Sequence, residues 1–205
     1  SAAMMTWCLY ELIISQHRDE NLMEPLETEA DTVFDKSIDW SQVNEQDLPS
    51  RESLANLVVS EASLKESLRK YSVVPISARR VVQDLVLDNG VLLPKGASIA
   101  VNIQAVHLDP RNWNMPMKYD PTRFLNQVPK PFTFLPFIAG PRNCLGQHLA
   151  LLESKMVISM LVQRYKFDMD GADSIDPQDW SNDPRHSYMV PVIPKEELMI
   201  SVSRK

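Results

Sequence analysis

The chain has 205 residues, enough for one domain with a sizeable core, and its 44% hydrophobic and 23% charged residues are ordinary for a globular protein. A formal net charge of -6 argues against a general nucleic-acid binder, which would carry a basic excess. Two cysteines, Cys8 and Cys144, are too few for an all-cysteine zinc site, an iron–sulfur cluster or a disulfide scaffold. Any cysteine chemistry must therefore come from one thiol acting alone.

In chain order, residues 2–15 read as a helix whose apolar stripe is Met4, Met5, Cys8, Leu9, Leu12 and Ile13. This first stretch lacks a basic leader and a small-residue cleavage site, so no signal peptide is expected. The helix also has no start signal, which leads to the expectation that the sequence is cut from something longer. Residues 19–49 are acidic and poorly periodic, with room for two short helical pieces. A second helix is predicted over 54–70, with Leu57, Leu64 and Leu68 on one side and Pro75 shortly beyond its end. Residues 81–106 read as β-rich, with a turn at Asp88-Asn89-Gly90 and period-2 alternation through Ile99, Val101 and Ile103. Prolines 110, 116, 121, 129 and 131 make 109–136 a meandering loop. The longest helical pattern covers 144–167, through Leu145, Leu149, Leu152, Met156, Met160 and Leu161. A closing hairpin is predicted over 189–203, around Pro194-Lys195-Glu196-Glu197. No stretch reaches the roughly 18 to 20 apolar residues of a membrane span.

The segment 137–146 carries most of the chemistry. Cys144 sits where a glycine-containing loop becomes a helix, and free N–H groups at a helix start favour a thiolate. Gly140 lets the backbone turn sharply, Gly146 leaves room for a flat group, and Arg142 adds a fixed positive charge. A cysteine alone in such a place also reads as a packed, inert thiol. Glu66 and Arg69 lie three apart on the helix of 54–70 and so share a face. Taken alone, they read as a surface ion pair of little worth.

Phe137, Gly140, Arg142, Cys144 and Gly146 match all five fixed positions of F-x-x-G-x-R-x-C-x-G, the cytochrome P450 haem-binding signature. The chain thus resembles the C-terminal part of that family, over about the last half of a typical member. The resemblance implies a mainly α fold with small β-sheets (α+β), running from the end of the central distal helix (1–15) to the final hairpin (189–203). Between them lie the E-x-x-R helix (54–70), the β-rich segment (81–106), the meander (109–136), the haem-binding loop (137–146) and the proximal helix (144–167). It implies haem b as cofactor and Cys144 as the axial iron ligand. Arg142 would pair with a haem propionate and Phe137 would pack on the thiolate side of the ring. Gly140, Gly146 and Ala150 complete the cofactor-binding set. Pro75-Ile76-Ser77-Ala78-Arg79 resembles the segment that supplies a second propionate partner. Arg79 is that partner by resemblance, with Arg80 its rival by one register position.

Tyr119-Asp120-Pro121-Thr122-Arg123-Phe124 resembles the family's F-x-P-E-R-F segment, with Tyr for Phe and Thr for Glu. By resemblance Glu66, Arg69 and Arg123 form a buried structural triad under the loop. Loss of one member is expected to cost about 3–5 kcal/mol. His107-Leu108-Asp109-Pro110 with Trp113 resembles H-R-D-P…W, Leu108 standing for Arg. His107 is expected to be a hydrogen-bonding core residue and no ligand.

The family's distal A-G-x-(D/E)-T-T segment aligns with its acid and first Thr before Ser1, so no catalytic residue is expected here beyond the haem ligand. Thr6 is given no part, since Thr in an apolar helix bonds its own backbone. The activity implied is a haem-thiolate monooxygenase that inserts one atom of dioxygen into an organic, lipophilic substrate. Alternatives are an isomerase or dehydratase of the same fold acting on peroxides, or a truncated fragment unable to hold haem. A flavoprotein reductase or ferredoxin would supply electrons, docking on Lys130, Arg142, His148, Lys155 and Arg164, which otherwise read as an ordinary mixed surface. The cytoplasmic face of the endoplasmic reticulum membrane is the expected location, with any anchor outside this chain. A soluble cytoplasmic protein is the alternative.

Overall fold

The computed structural model describes residues 1–18, 20–175, 191–194 and 197–205. Helix α1 (Ala2–Gln16) runs through the core and is not merely laid on it. Trp7, Tyr10 and Ile14 are as buried as the predicted stripe, so the helix is covered almost all round. Helix α2 (Met23–Asp31) turns Met23, Leu26 and Ala30 inward, and short 3-10 turns follow at Trp40–Gln42 and Glu45–Asp47.

The helix predicted over 54–70 is two. Helix α3 (Arg51–Ala55) opens on Ser50, whose hydroxyl accepts from Ser53 N–H, and ends at Asn56. Helix α4 (Val58–Lys70) then starts without a cap of its own. Glu29 of α2 supplies one from a distance, accepting from Val59 N–H (2.7 Å), Ser60 N–H (2.9 Å) and the Ser60 hydroxyl (2.8 Å). A carboxylate there satisfies orphan donors and opposes the positive end of the helix.

Strand β1 (Ile76–Arg80) begins before the predicted β-rich region. The pair β2 (Leu85–Val86) and β3 (Leu92–Leu93) closes over the Asp88-Asn89-Gly90 turn, with Gly90 at φ 84°. Strand β4 (Ser98–Asn102) pairs antiparallel with β1, placing Arg79 opposite Ile99. The strand expected to continue through Ile103 stops there. Asn102 accepts from Ala105 N–H (2.9 Å) and starts helix α5 (Ile103–His107). Within 109–136 the regular structure is one 3-10 turn, Pro121–Phe124, capped by Asp120.

Helix α6 (Gln147–Arg164) is shorter at both ends than predicted. Cys144 to Gly146 form a turn before it. Beyond Arg164 the chain becomes strand β5 (Tyr165–Met169), because Phe167 and Met169 alternate inward while Lys166 and Asp168 face out. The predicted stripe also differs. Leu145 is 99% exposed and Leu149 is exposed, whereas Ser154, Lys155, Ile158, Ser159, Val162 and Gln163 are buried. The serines let α6 approach α4 and α2 closely. Ser159 and Ser60 hydroxyls meet at 2.8 Å, and Gln163 Nε2 donates to Phe34 O (2.8 Å) and Asp31 Oδ1 (3.0 Å). The final strand β6 (Ile200–Arg204) pairs antiparallel with β5, Val202 opposite Phe167. The closing hairpin expected over 189–203 falls partly outside the described residues, and its described second arm, β6, pairs with β5.

Among the described residues, no helix is long and apolar enough to cross a membrane. The main core gathers α1, α4, α6 and β5 around Trp7, whose ring stacks on Tyr71 at 4.1 Å. A buried pair, Lys70 Nζ to Glu11 Oε1 at 2.7 Å, ties α4 to α1, and the Tyr71 hydroxyl donates to the same oxygen.

Candidate functional site

The two cysteines occupy opposite environments. Cys8 is buried in the core, with Sγ 3.7 Å from the Tyr119 hydroxyl. Burial pushes its thiol up to about 11, so it is a core thiol. Cys144 is exposed and unpaired. It lies two residues before the N-cap Gly146, so the expected place at the first turn of the helix is corrected to the loop just ahead of it.

That loop is closed by its own backbone. Cys144 N–H donates to Phe137 O at 2.9 Å, Asn143 N–H to Gly140 O at 3.1 Å, and Ile138 N–H to Leu135 O at 3.1 Å. Gly140 takes φ 84°, which explains the glycine. Ile138 takes φ 63°, a conformation that a β-branched residue adopts only when its surroundings impose it. A Cβ at Gly140 or Gly146 would meet nothing within 4 Å, so backbone conformation alone demands Gly140.

Beside the loop lies an open cavity of about 260 Å³. Its walls come from distant parts of the chain. Met4 stands on α1, Leu68 on α4, Val73 and Val74 just after α4, and Ala150 on α6, with Phe137, Ile138, Arg142 and Cys144 from the loop. The lining is mostly apolar, and its polar members are the Cys144 thiol, the Arg142 guanidinium and Ser1. Arg142 is exposed and makes no ion pair among the described residues. Phe137, Arg142, Cys144 and Ala150 are thus brought together. Arg79 is not brought with them. It is exposed on β1, and its Nη1 donates to Ser77 Oγ (3.1 Å) and Ala78 O (2.8 Å). Val73, Val74 and Ile138 carry no sequence signal of a cavity wall, being aliphatic residues near a proline.

Glu66 and Arg69 are fully buried and bonded in a fork, Nε to Oε2 and Nη2 to Oε1, both at 2.7 Å. Arg123 reaches Glu66 Oε1 at 3.3 Å from a partly exposed position, and Asp120 N–H donates to that oxygen at 2.9 Å. Burial pushes the Glu66 carboxyl up, against the pull of Arg69, the Asp120 N–H and Arg123. Arg69 also donates to His107 O (3.0 Å) and Lys118 O (3.2 Å), and sits 5.3 Å from the Trp113 ring centre.

Of the five residues expected on one docking surface, Lys155 is buried and paired with Glu61 at 3.2 Å. Arg164 donates to Asp35 O. Lys130, Arg142 and His148 remain exposed. Among the described residues, no three His, Cys, Asp and Glu side chains gather in a metal-binding group.

The cytochrome P450 family model matches residues 1–195. The chain belongs to the cytochrome P450 family. It is 33% identical over 169 residues to cytochrome P450 4F2 of Homo sapiens, covering 81% of this chain and 30% of that protein. Over 130 residues it is 42% identical to probable cytochrome P450 4s3 of Drosophila melanogaster, covering 62% of this chain and 26% of that one. The chain therefore spans about a third of the length of the curated relatives it matches. A solved structure, the haem domain of cytochrome P450DA, superposes with TM-score 0.77 at 22% identity, covering all of this chain and 41% of the other. That likeness shows the fold. A cytochrome P450 implies haem, and the residues present fit one: an exposed thiol on a mostly apolar, open wall, with the Arg142 guanidinium beside it, which makes no ion pair among the described residues.

Proposed function

We propose that this chain forms the proximal, haem-holding part of a haem-thiolate monooxygenase that inserts one atom of dioxygen into an organic, lipophilic substrate. The observation that carries this reading is the exposed Cys144 thiol opening on the cavity shared by Phe137, Arg142 and Ala150. Haem b is the group assigned there, and when bound it supplies the oxygen-activating redox chemistry.

The chain's own residues hold and shield it. Cys144 would be the thiolate that holds the iron, its backbone fixed by the N–H bond to Phe137 O. Phe137, Val73, Val74 and Ala150 present apolar walls that would shield the bound group from water beside Cys144. Arg142 would neutralise a propionate. Arg79 is the second propionate partner and would have to leave Ser77 and Ala78 to serve. Gly140 sets the turn, and Gly146 keeps side-chain bulk off the approach to α6. Glu66, Arg69 and Arg123 fix the meander beneath the loop.

Electrons would come from an acidic flavoprotein reductase or ferredoxin facing Lys130, Arg142 and His148. The endoplasmic reticulum membrane is the site of action that this reading assigns. The test is the reduced carbon-monoxide difference spectrum of the full-length protein. A thiolate-type Soret band is expected, and Cys144→Ala should abolish it. A band that survives Cys144→Ala would remove the ligand assignment.

A further inference from the structure

The loop is held at its near end by a residue outside the family motif that it carries. Leu135 stands two positions before Phe137, and its N–H donates to His107 Nε2 at 2.7 Å. Because that N–H can only donate, Nε2 carries no proton. The imidazole proton is then on Nδ1, which faces the Ser72 hydroxyl at 2.8 Å. His107 is fully buried, so this tautomer is the one its surroundings satisfy. The ring packs on Phe134, with centroids 5.4 Å apart.

Both ends of the residue are engaged. The His107 carbonyl accepts from Arg69 Nη1 at 3.0 Å. Leu135 is likewise pinned twice, since its own carbonyl accepts from Ile138 N–H at 3.1 Å. An unbroken path results: Glu66, Arg69, the two ends of His107, Leu135, Ile138 and the turn whose Phe137 carbonyl holds Cys144 N–H. Arg123 touches Glu66 and Met115 and, among the described residues, makes no bond to the loop itself.

On the reading that Cys144 is the haem ligand, we propose that His107 is a positioning residue for it, the neutral imidazole acting as the hydrogen-bond acceptor that sets the backbone of Leu135 to Phe137 and hence the loop that aims Cys144. Burial and the nearby Arg69 cation, which disfavour a second proton on the ring, act in the same direction.

Two variants separate this role from simple packing. His107→Phe keeps a planar ring and removes the acceptor. His107→Gln places an amide oxygen near the Nε2 position and restores it. Amide hydrogen exchange in the full-length protein is the first readout and does not require haem. In His107→Phe, exchange at Leu135 should quicken by about tenfold, the loss of one buried hydrogen bond, while the middle of α4 is unchanged. His107→Gln should return it towards wild type. The second readout is the thiolate-type Soret band of the carbon-monoxide complex. It should shift in part to the protonated-thiol type in His107→Phe and recover in His107→Gln.

If Leu135 exchanges at the wild-type rate in His107→Phe, or if His107→Gln is as damaged as His107→Phe, the positioning role is wrong. Should His107→Phe fail to fold, nitrogen-15 spectra of the wild-type imidazole decide: an unprotonated Nε2 supports the role and a protonated Nε2 overturns it. A wild type with no thiolate band would instead sink the haem reading. Fast exchange confined to the loop of His107→Phe would then still establish the anchor.

Discussion

Arg69 and Arg123 both contact Glu66, yet their removal should cost very different amounts. Arg69→Ala deletes two 2.7 Å bonds to a fully buried carboxylate and leaves the His107 and Lys118 carbonyls without a donor. What remains at Glu66 is one N–H from Asp120 and one 3.3 Å contact from Arg123. A buried charge stripped of its main partner costs about 3–5 kcal/mol. Arg123→Ala deletes the single long contact, and the Arg123 side chain is 13% exposed, so water can replace part of it. About 1–2 kcal/mol is expected there.

The pH dependence should differ as well. Burial already raises the Glu66 carboxyl, and loss of Arg69 raises it further. A carboxyl whose folded value lies above its unfolded value binds extra protons in the folded state, so stability rises as pH falls through that range. The penalty of Arg69→Ala should therefore shrink in mild acid, while that of Arg123→Ala should change little. Urea unfolding of the full-length protein, followed by circular dichroism at two pH values, measures both effects. Equal penalties for the two variants, or a penalty for Arg69→Ala that grows in acid, would refute the reasoning.

Three further outcomes are expected. His107 is held down from 6.5 to about 4, so the folded state takes up its proton only at lower pH than the unfolded chain does. Stability should fall as pH drops from about 6.5 towards 4, by about 3 kcal/mol in all, and a pH–stability curve of His107→Gln should lack that slope. Gly140→Ala should cost about 1–2 kcal/mol from backbone conformation alone, since its Cβ meets nothing; Gly140→Asn should cost less, as urea midpoints would show. Lys155→Glu puts a second carboxylate beside Glu61 at the buried face of α6 and should lose about 2–4 kcal/mol, whereas Lys130→Glu, on the exposed side, should stay within about 0.5 kcal/mol by the same measurement.

The parts of the site that sequence made legible are those where side-chain type is dictated locally. Gly140 needs a left-handed backbone, and a glycine five residues before Cys144's neighbour Leu145 is visible as a letter. Glu66 and Arg69 share a helix face at a spacing of three. Other features depend on what lies across the fold. The stretch 165–169 extends the apolar pattern of α6, and only its pairing with 200–204 makes it a strand. The start of α4 carries no cap in its own sequence, because Glu29 arrives from another helix. Lys155 reads as a surface cation until Glu61 is seen beside it.

His107 shows why a motif and a mechanism differ. As a letter in an H-x-D-P pattern it points to a core residue, and its burial agrees. Nothing local says that its ring accepts from Leu135, 28 residues later, or that its carbonyl takes a bond from Arg69, 38 residues earlier. Those two bonds make the buried ion cluster and the cysteine loop one mechanical unit. On the reading that Cys144 holds the haem, its sulfur must be aimed as well as present, and a loop aims a side chain through its backbone. The five-letter signature names the turn that presents Cys144; the histidine, outside the signature, fixes the point from which that turn is measured.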